Sequence, residues 1–225
     1  MPIDPFQLKS LPKVHPRRAL YTAWARSQDW WSRRRYRQYA LPFLTPVGDA
    51  APAAPLGDTC VTPDQYRCLW AALRATDHLA NTRIVEIGAY RGVTTAYLAR
   101  HSGRPVVAVD PYIGYGGREV DLAVFRANTA ELPQVTHIRE TSGRGRSAWP
   151  HGRSVSLLYI DAVNDYANRR FDIAAWRPLV VSGGIIAVPD VDQPGCAGLR
   201  RAAVELLRLC PLFVHVENMA AFRVP

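Results

Sequence analysis

Hydrophobic and polar positions follow two alternating patterns along residues 83–225. Short apolar runs predict strands, and the stretches between them have the three-to-four-residue spacing of amphipathic helices. The predicted strands are RIVEIG (83–88), PVVAVD (105–110), QVTHIRE (134–140), VSLLYIDA (155–162), GGIIAVPDV (183–191) and two in LFVHVENMAAFRV (212–224). The predicted helices are VTTAYLARHSG (93–103), REVDLAVFRANTAEL (118–132), YANRRFDIAAWRPLV (166–180) and AGLRRAAVELLRL (197–209).

Strands that alternate with helices predict an α/β fold, with a mostly parallel seven-stranded sheet and helices on both of its faces. The last two strands flank a turn at Glu217–Asn218 and predict a C-terminal antiparallel hairpin. Ligands of such sheets bind at the carboxyl ends of the strands. The residues expected at this edge are Glu86–Gly92, Asp110, Thr141–Ser142, Asp161–Tyr166 and Asp190.

The chain before this core contains a linker-like stretch, TPVGDAAPAAPLGD (45–58). We expect residues 1–59 to form a basic, aromatic extension and residues 60–225 to form the domain. A further helix is predicted in PDQYRCLWAALRATDHLA (63–80), where apolar residues recur at helical spacing.

The composition limits the class of protein. The 225 residues include 28 basic and 19 acidic ones, and the resulting formal charge of +9 favours anionic partners without identifying one. No apolar run approaches the roughly 18 residues of a membrane span, and the first residues lack the apolar core of a signal peptide. We therefore expect an intracellular, cytoplasmic protein. The four cysteines form no C-x-x-C pair, so neither a disulfide framework nor a zinc site is expected.

Residues 17–39 mix seven arginines with three tryptophans and three tyrosines. On a helix, Leu20, Trp24 and Trp31 share one apolar face. An anionic membrane surface and a nucleic-acid backbone are two candidate partners for such a segment. We favour a third interpretation, in which the helix packs on the domain or on a second subunit of a homo-oligomer and its arginines face solvent.

The stretch VEIGAYRG (85–92) joins the first strand of the core to a helix, where α/β proteins bind nucleotide-like ligands. Its spacing is E-x-G-x-x-x-G, whereas a dinucleotide loop reads G-x-G-x-x-G and uses its middle glycine to approach a pyrophosphate. Tyr90 takes the place of that glycine, and Glu86 adds a carboxylate that repels a pyrophosphate. The loop therefore suits a cationic ligand without phosphate, such as S-adenosylmethionine, whose ribose Asp110 can hold.

VEIGAYRGVTTAYLAR, followed by VVAVD, resembles the first two motifs of class I S-adenosylmethionine-dependent methyltransferases. The stretch LLYIDAVNDYANRRFDIAAWRPLVVSGGIIAVPDV is similar to their small-molecule O-methyltransferase branch, methyltransferase family 24. The resemblance covers residues 63–225. It implies a Rossmann-like fold, S-adenosylmethionine as cofactor, a small-molecule acceptor, and an N-terminal segment that covers the site and shapes acceptor choice.

The resemblance also implies a set of cofactor-binding positions. These are Glu86 and Gly88 facing the methionine part, Tyr90 and Gly92 shaping the loop, Asp110 at the ribose, Ser142 near the adenine and Asp161 near the transferring methyl group.

The chain departs from the family pattern after the fourth and fifth strands. The family's D-G-D-H-S-Y is DAVNDY here, so that Val163 and Asn164 replace an acid and a histidine, and its H-D is Pro189–Asp190. Related sugar O-methyltransferases hold magnesium with acids at these two strand ends. Asp161 and Asp190 remain as candidate Mg²⁺ ligands, with Asn164 as a neutral oxygen ligand. The catalytic candidates are Asp161, Asn164 and His151, with Asp165 and Tyr166 as alternative bases.

We expect the protein to methylate an oxygen of a small molecule, such as a sugar or a secondary metabolite. Two alternatives remain open at this point. The substitutions at Val163 and Asn164 suit a degenerate methyltransferase fold that serves in binding or assembly, and the positive charge suits a nucleic-acid methyltransferase.

Overall fold

The computed structural model describes residues 4–46, 50–55, 58–114, 117–149, 152 and 154–225. Within these ranges the chain forms one sheet of seven strands. They are β1 (Arg83–Ile87), β2 (Val106–Val109), β3 (Val135–Ile138), β4 (Val155–Ile160), β5 (Val180–Pro189), β6 (Leu212–Val216) and β7 (Met219–Arg223). Their order across the sheet is β3-β2-β1-β4-β5-β7-β6. Strands β1 to β5 run parallel, whereas β7 is antiparallel to both of its neighbours.

Eight α-helices accompany this sheet in the described part of the chain. They are α1 (Pro5–Ser10), α2 (Pro16–Arg34), α3 (Pro63–Ala75), α4 (Val93–Ser102), α5 (Glu119–Thr129), α6 (Ser142–Ser147), α7 (Tyr166–Trp176) and α8 (Ala197–Leu207). The mostly parallel sheet, its C-terminal hairpin and the surrounding helices confirm the predicted fold.

The strand order reverses between β1 and β4. From β1 the chain builds outward through β2 to β3, and it then returns to place β4 on the other side of β1. A crevice opens at the carboxyl ends of parallel strands at such a reversal. The fold therefore brings the loops after β1, β2, β3 and β4 to one place.

Two apolar clusters cover the two faces of the sheet. Because side chains alternate along a strand, Val85 and Leu158 join the cluster that contains Trp176 of α7. Their neighbours Ile84 and Leu157 join the other cluster, together with residues of α3. Strands that are buried on both faces read as continuous apolar runs, which is the pattern found in the sequence.

The start of β5 differs from the sequence prediction. We expected the strand to begin at Gly183, but β5 begins at Val180 and contains both Gly183 and Gly184. Val155 of β4 pairs with Val180 and Leu157 pairs with Ile185, so the residues between them form a bulge. Glycine suits this bulge, because the backbone of Gly183 adopts a left-handed φ of +80°.

Two short helices were absent from the sequence prediction. Helix α6 contains two glycines, Gly143 and Gly145, which weaken its helical signal. It forms because Thr141 accepts the Arg144 N–H at its start and Asp4 accepts the Gly143 N–H. Asp4 also caps α1 by accepting the Phe6 N–H at 2.9 Å. One buried carboxylate thus fixes both helices.

Helix α2 packs on the domain against α7 and α8, as we expected of the N-terminal segment. The face that packs carries the buried residues Tyr21 and Ser32. The predicted apolar face is a different one, and it remains exposed, with Leu20 at 72%, Trp24 at 45% and Trp31 at 47%. These three residues therefore do not supply the face that packs on the domain.

The described helices include none that is long and apolar enough to cross a membrane. All four cysteines are free thiols, and Cys68 and Cys210 are buried. The absence of a disulfide framework agrees with the cysteine spacing.

Candidate functional site

A cavity of about 420 Å³ lies at the carboxyl edge of the sheet, where the strand order reverses. Its walls come from α1, α7 and the loops that follow the first four strands. The lining residues are Phe6, Lys9, Ile87, Gly88, Tyr90, Val109, Asp110, Pro111, Thr141, Ser142, Asp161, Ala162, Val163, Asn164, Asn168 and Asp172. The sequence predicted this edge, and five of the seven cofactor positions line the cavity itself.

The loop from β1 to α4 bends so sharply that three of its residues have left-handed backbones. They are Gly88 (φ +87°), Tyr90 (φ +46°) and Gly92 (φ +76°). A Cβ atom at Gly88 would lie 2.1 Å from the carbonyl oxygen of Asp161, and one at Gly92 would lie 2.7 Å from the Phe125 ring. Both glycines are therefore required by close approach, while Tyr90 accepts an uncommon conformation.

Asp110 holds this loop in its bent conformation through hydrogen bonds to the backbone. Its Oδ2 accepts the N–H groups of Ala89 and Tyr90, both at 3.0 Å, and its Oδ1 accepts the Tyr112 N–H at 3.1 Å. Burial raises the pKa of this carboxyl, and the three backbone N–H groups act in the opposite direction. A carboxylate has about four lone-pair positions, so Asp110 keeps capacity for a ligand hydroxyl.

Glu86 is buried beneath the loop and accepts a hydrogen bond from the Thr95 hydroxyl. Burial is the main cause that raises its pKa to about 8; the Thr95 hydrogen bond opposes this shift, and the nearby carboxyls of Asp161 and Asp110 add to it. Glu86 therefore holds its proton at pH 7. The expected repulsion of a pyrophosphate by Glu86 is therefore absent from the protonated form. Glu86 carries a negative charge only when a nearby cation or a higher pH favours its ionisation. Glu86 does not line the large cavity but lines a smaller adjoining one of about 90 Å³. Gly92 lines neither cavity.

Asp161 follows β4 directly and lines both cavities. Its backbone N–H donates to Ile87 at 2.8 Å, and the Tyr159 hydroxyl donates to its Oδ2 at 2.9 Å. Burial raises the pKa of this carboxyl, while the guanidinium of Arg169 lowers it. Arg169 is itself buried and donates to the carbonyl of Pro189 at 3.1 Å.

Ser142 begins α6 and lines the cavity, and its place beside an adenine stays a prediction. The indole N–H of Trp176 donates to its Oγ at 2.9 Å. The neighbouring Asp172 also lines the cavity, and burial raises the pKa of this carboxyl to about 7. Trp176 is fully buried.

The candidate metal ligands are engaged with one another or with amides. The Asn164 side chain donates to Asp190 Oδ2 at 2.8 Å, and Gln193 and Asn218 donate to Oδ1 at 3.0 Å. Asn164 therefore presents its amide N–H, not its oxygen, to Asp190, and Asp190 has three amide partners. No group of three His, Cys, Asp or Glu suited to a metal occurs among the described residues. This donor set does not fit Mg²⁺, which needs near-octahedral oxygen ligands.

The candidate bases have separate positions. His151 lies outside the described residues. Asp165 caps α7 by accepting the Asn168 N–H at 2.8 Å and pairs with Lys9 at 3.0 Å. The Tyr166 hydroxyl donates to Glu205. Among the described candidates, Asp161 is the one whose carboxyl lines the cavity.

The sequence did not predict several of the lining residues, among them Phe6, Lys9, Asn168 and Asp172. Phe6 and Lys9 belong to α1, and Asn168 belongs to the first turn of α7. The resemblance implies an N-terminal segment that covers the site, and the N-terminal segment that lines the cavity is α1. Asp4 followed by Pro5 is a helix-start signal that can locate this helix, although six residues are too few for a periodic pattern.

Comparison with known proteins places this site in a wider group. Residues 85–191 match the family model Methyltransf_24, described as a methyltransferase domain. The match begins within β1 and ends just after β5. No curated protein sequence matches the chain.

Solved structures share the fold. The TDP-rhamnose 3'-O-methyltransferase CalS11 of calicheamicin biosynthesis is 23% identical, with a TM-score of 0.53 over 72% of this chain and 81% of that one. Cofactor-bound Rv0187 from MTB is 18% identical, with a TM-score of 0.56 over 100% and 98%. The N-methyltransferase NodS from Bradyrhizobium japonicum, in complex with S-adenosylhomocysteine, is 15% identical, with a TM-score of 0.54 over 71% and 87%.

Proposed function

We propose, on the premise that this chain is a class I S-adenosylmethionine-dependent methyltransferase, that it methylates a hydroxyl oxygen of a small molecule. The observation that carries the proposal is the convergence of Glu86, Asp110 and Asp161 around the reversal of strand order. A sugar or a secondary metabolite is the acceptor class that we favour. The shared fold with a TDP-rhamnose O-methyltransferase supports this choice.

The residues present fit S-adenosylmethionine. The cavity has the size of a small-molecule site, for which about 300–1,000 Å³ is typical. Asp161 and Asp110 both raise the pKa of Glu86, so three carboxyls compete for ionisation in a small volume. A ligand with a sulfonium and an ammonium group relieves that repulsion, whereas a pyrophosphate does not.

We assign the parts of the cofactor to the strand ends. Glu86, Gly88 and the backbone of Tyr90 would hold its methionine part, and Gly92 keeps the loop closed over Phe125. Asp110 would bind the ribose hydroxyls. Ser142 would lie at the adenine, where the start of α6 and Asp172 supply polar groups.

When bound, the cofactor supplies a methyl group that a sulfonium makes electrophilic. The chain's contribution is to orient the acceptor and to take its proton. Asp161 would accept the proton that the acceptor hydroxyl loses, because its raised pKa moves it toward the range of a general base. Orientation of the acceptor oxygen accounts for much of the rate acceleration in such a transfer. Phe6, Lys9 and Asn168 form the wall on which the acceptor would rest.

Cofactor binding tests the first half of the proposal. Calorimetric titration with S-adenosylmethionine and with S-adenosylhomocysteine should give saturable binding of both. Asp110→Asn should weaken binding about 10- to 100-fold, since a hydrogen bond to a charged group contributes ~1.5–3 kcal/mol. The matched control is Asp64→Asn on the exposed side of α3, where Asp64 pairs with Arg67. Absence of binding at millimolar ligand contradicts the proposal.

Methyl transfer tests the second half. Incubation with labelled cofactor and a panel of nucleotide sugars, glycosides and phenols should label at least one hydroxyl compound. Asp161→Asn should lower kcat by about 10²-fold or more, which is a larger factor than its effect on cofactor affinity. A protein that binds the cofactor and labels none of these classes would contradict the proposed O-methylation and support a binding role.

A further inference from the structure

The exposed apolar residues of α2 adjoin a second cavity, which is separate from the candidate active site. We call this region the Trp24 surface, and we define it as Leu20, Trp24, Trp31 and the cavity beside them. The cavity has a volume of about 560 Å³ and is mostly apolar, with Leu8 and Phe171 in its walls and Arg17 and Arg170 among its lining residues. Large apolar side chains that remain exposed together mark sites of interaction.

The exposure of these residues is not needed for the packing of α2. The helix is held on the domain by its neighbouring face, where the Asn168 amide donates to the Tyr21 hydroxyl at 3.0 Å and Arg201 donates to the Gln28 side-chain oxygen at 3.1 Å. Leu20, Trp24 and Trp31 recur at helical spacing beside that face. The surface is therefore continuous along the helix and available to a partner.

The charge on this helix limits the partner. Residues 16–37 contain seven arginines and the single acid Asp29. Arg34 lies over the Trp30 ring at 4.4 Å and Arg35 lies over the Trp31 ring at 5.0 Å. Arginine and tryptophan in this arrangement provide cationic heads at the edge of an apolar strip, which is the composition of helices that lie in the interface of a membrane.

Three occupants can be compared. A second copy of this face, related by a two-fold axis, would bring one arginine-rich helix against another, with an unfavourable electrostatic energy. A nucleic-acid backbone would satisfy the arginines but would leave the apolar cavity without apolar contacts. A bilayer with anionic headgroups satisfies both the arginines and the apolar side chains. Its phosphates would pair with the guanidinium groups, while Leu20 and Trp24 would enter the acyl region.

We propose that the Trp24 surface docks the protein on an anionic lipid bilayer. Helix α1 connects this surface to the candidate active site. Phe6 and Lys9 on one side of α1 line the site, and Pro5 and Leu8 on its other side line the apolar cavity. A bilayer at the Trp24 surface would therefore contact α1, the helix whose other side lines the candidate active site.

Co-sedimentation of the full chain with sucrose-loaded vesicles tests the proposal. The protein should bind vesicles of phosphatidylglycerol and phosphatidylcholine and should not bind pure phosphatidylcholine, and salt should weaken the binding. Leu20→Ser with Trp24→Ser should lower the partition coefficient at least about ten-fold, the factor that corresponds to loss of burial of one large apolar side chain. The matched control is Val120→Ser with Leu209→Ser, which removes two exposed apolar side chains elsewhere.

Several results would overturn the proposal. These are no binding to anionic vesicles at low salt, equal loss in the control variant, or retention of binding in Leu20→Ser with Trp24→Ser. A dimer in sedimentation velocity that this double variant abolishes would assign the surface to a second copy instead. Unchanged circular dichroism and thermal unfolding of both variants exclude misfolding as the cause of a loss.

Discussion

Glu86 and Asp110 stand at the ends of neighbouring strands and have different surroundings. Burial raises the pKa of both carboxyls. At Asp110 three backbone N–H groups favour the ionised form, whereas at Glu86 one hydroxyl hydrogen bond leaves the pKa at about 8. The two acids therefore have distinct tasks, with Asp110 organising the loop and Glu86 responding to a cation.

The raised pKa of Glu86 predicts a pH dependence of stability. Its folded-state pKa lies above the ordinary value of 4.5, so this group favours folding at low pH and loses that contribution as the pH rises to about 8. The free energy of unfolding should fall between these values, with a slope that approaches ~1.4 kcal/mol per pH unit for one proton. Glu86→Gln should reduce that slope in urea unfolding at pH 5, 6, 7 and 8.

The matched control for this prediction is the exposed Glu131→Gln, which should keep the wild-type slope. Asp172, with a pKa of about 7, contributes to the same window, so some slope remains in Glu86→Gln. A wild-type slope in Glu86→Gln would show that Glu86 is ionised in the folded protein.

At the scale of elements, the β1–α4 loop depends on its contact with the end of β4. Gly88→Ala should destabilise the protein by more than about 3 kcal/mol, because the new Cβ meets the Asp161 carbonyl at 2.1 Å and the backbone is left-handed. Gly103→Ala is the control, since Gly103 has φ +61° but open space around it and should cost only ~1–2 kcal/mol. Equal losses in denaturant unfolding would contradict the close approach.

Asp4 links the two short helices that the sequence pattern did not predict. Asp4→Ala removes the cap of α1 and the partner of the Gly143 N–H, at an expected cost of about 1–3 kcal/mol. Hydrogen exchange should become faster in α1 and α6 and stay unchanged in α3. Unchanged exchange in α1 would mean that Asp4 does not hold this wall of the cavity.

The long elements could be predicted from the sequence because their patterns are local. The strands around Val85 and Leu158 are apolar runs, and α4 ends at Gly103, where the backbone turns left-handed. The missed elements depend on distant contacts. The α6 helix needs Asp4, and the early start of β5 needs pairing with Val155. Local periodicity does not contain such information.

The same distinction applies to the candidate site. Spacing located Glu86 and Asp110, since strand ends meet at one edge. It did not locate Lys9 or Asp172, because a cavity wall is formed by tertiary packing of α1 and α7. The engagement of Asn164 with Asp190 is also visible only in three dimensions.

At the scale of the whole molecule, the N-terminal extension is attached to the domain at several points. Beyond the packing of α2, Leu44 forms a backbone bridge with His215 of β6, and the buried His215 ring bonds Pro42 and Asp192. We therefore predict that extension and domain unfold together. Amides of α2 that are buried in helix packing should exchange with the same opening free energy as those of β1. Much lower protection in α2 would make the extension an independent unit.

The charge of the molecule is also segregated. Acidic side chains surround the candidate site, while the net charge of +9 resides largely in arginines outside it. This separation allows a cationic cofactor to bind within a basic protein, because the buried carboxyls act at short range.

The central claim is that the cavity where the strand order reverses holds S-adenosylmethionine. A crystal structure with S-adenosylhomocysteine tests this claim most directly. We predict the ribose hydroxyls within hydrogen-bond distance of Asp110, the adenine beside Ser142, and the sulfur next to Asp161. Electron density for the ligand at another place, or a cavity that stays free of ligand at saturating concentration, would contradict the account.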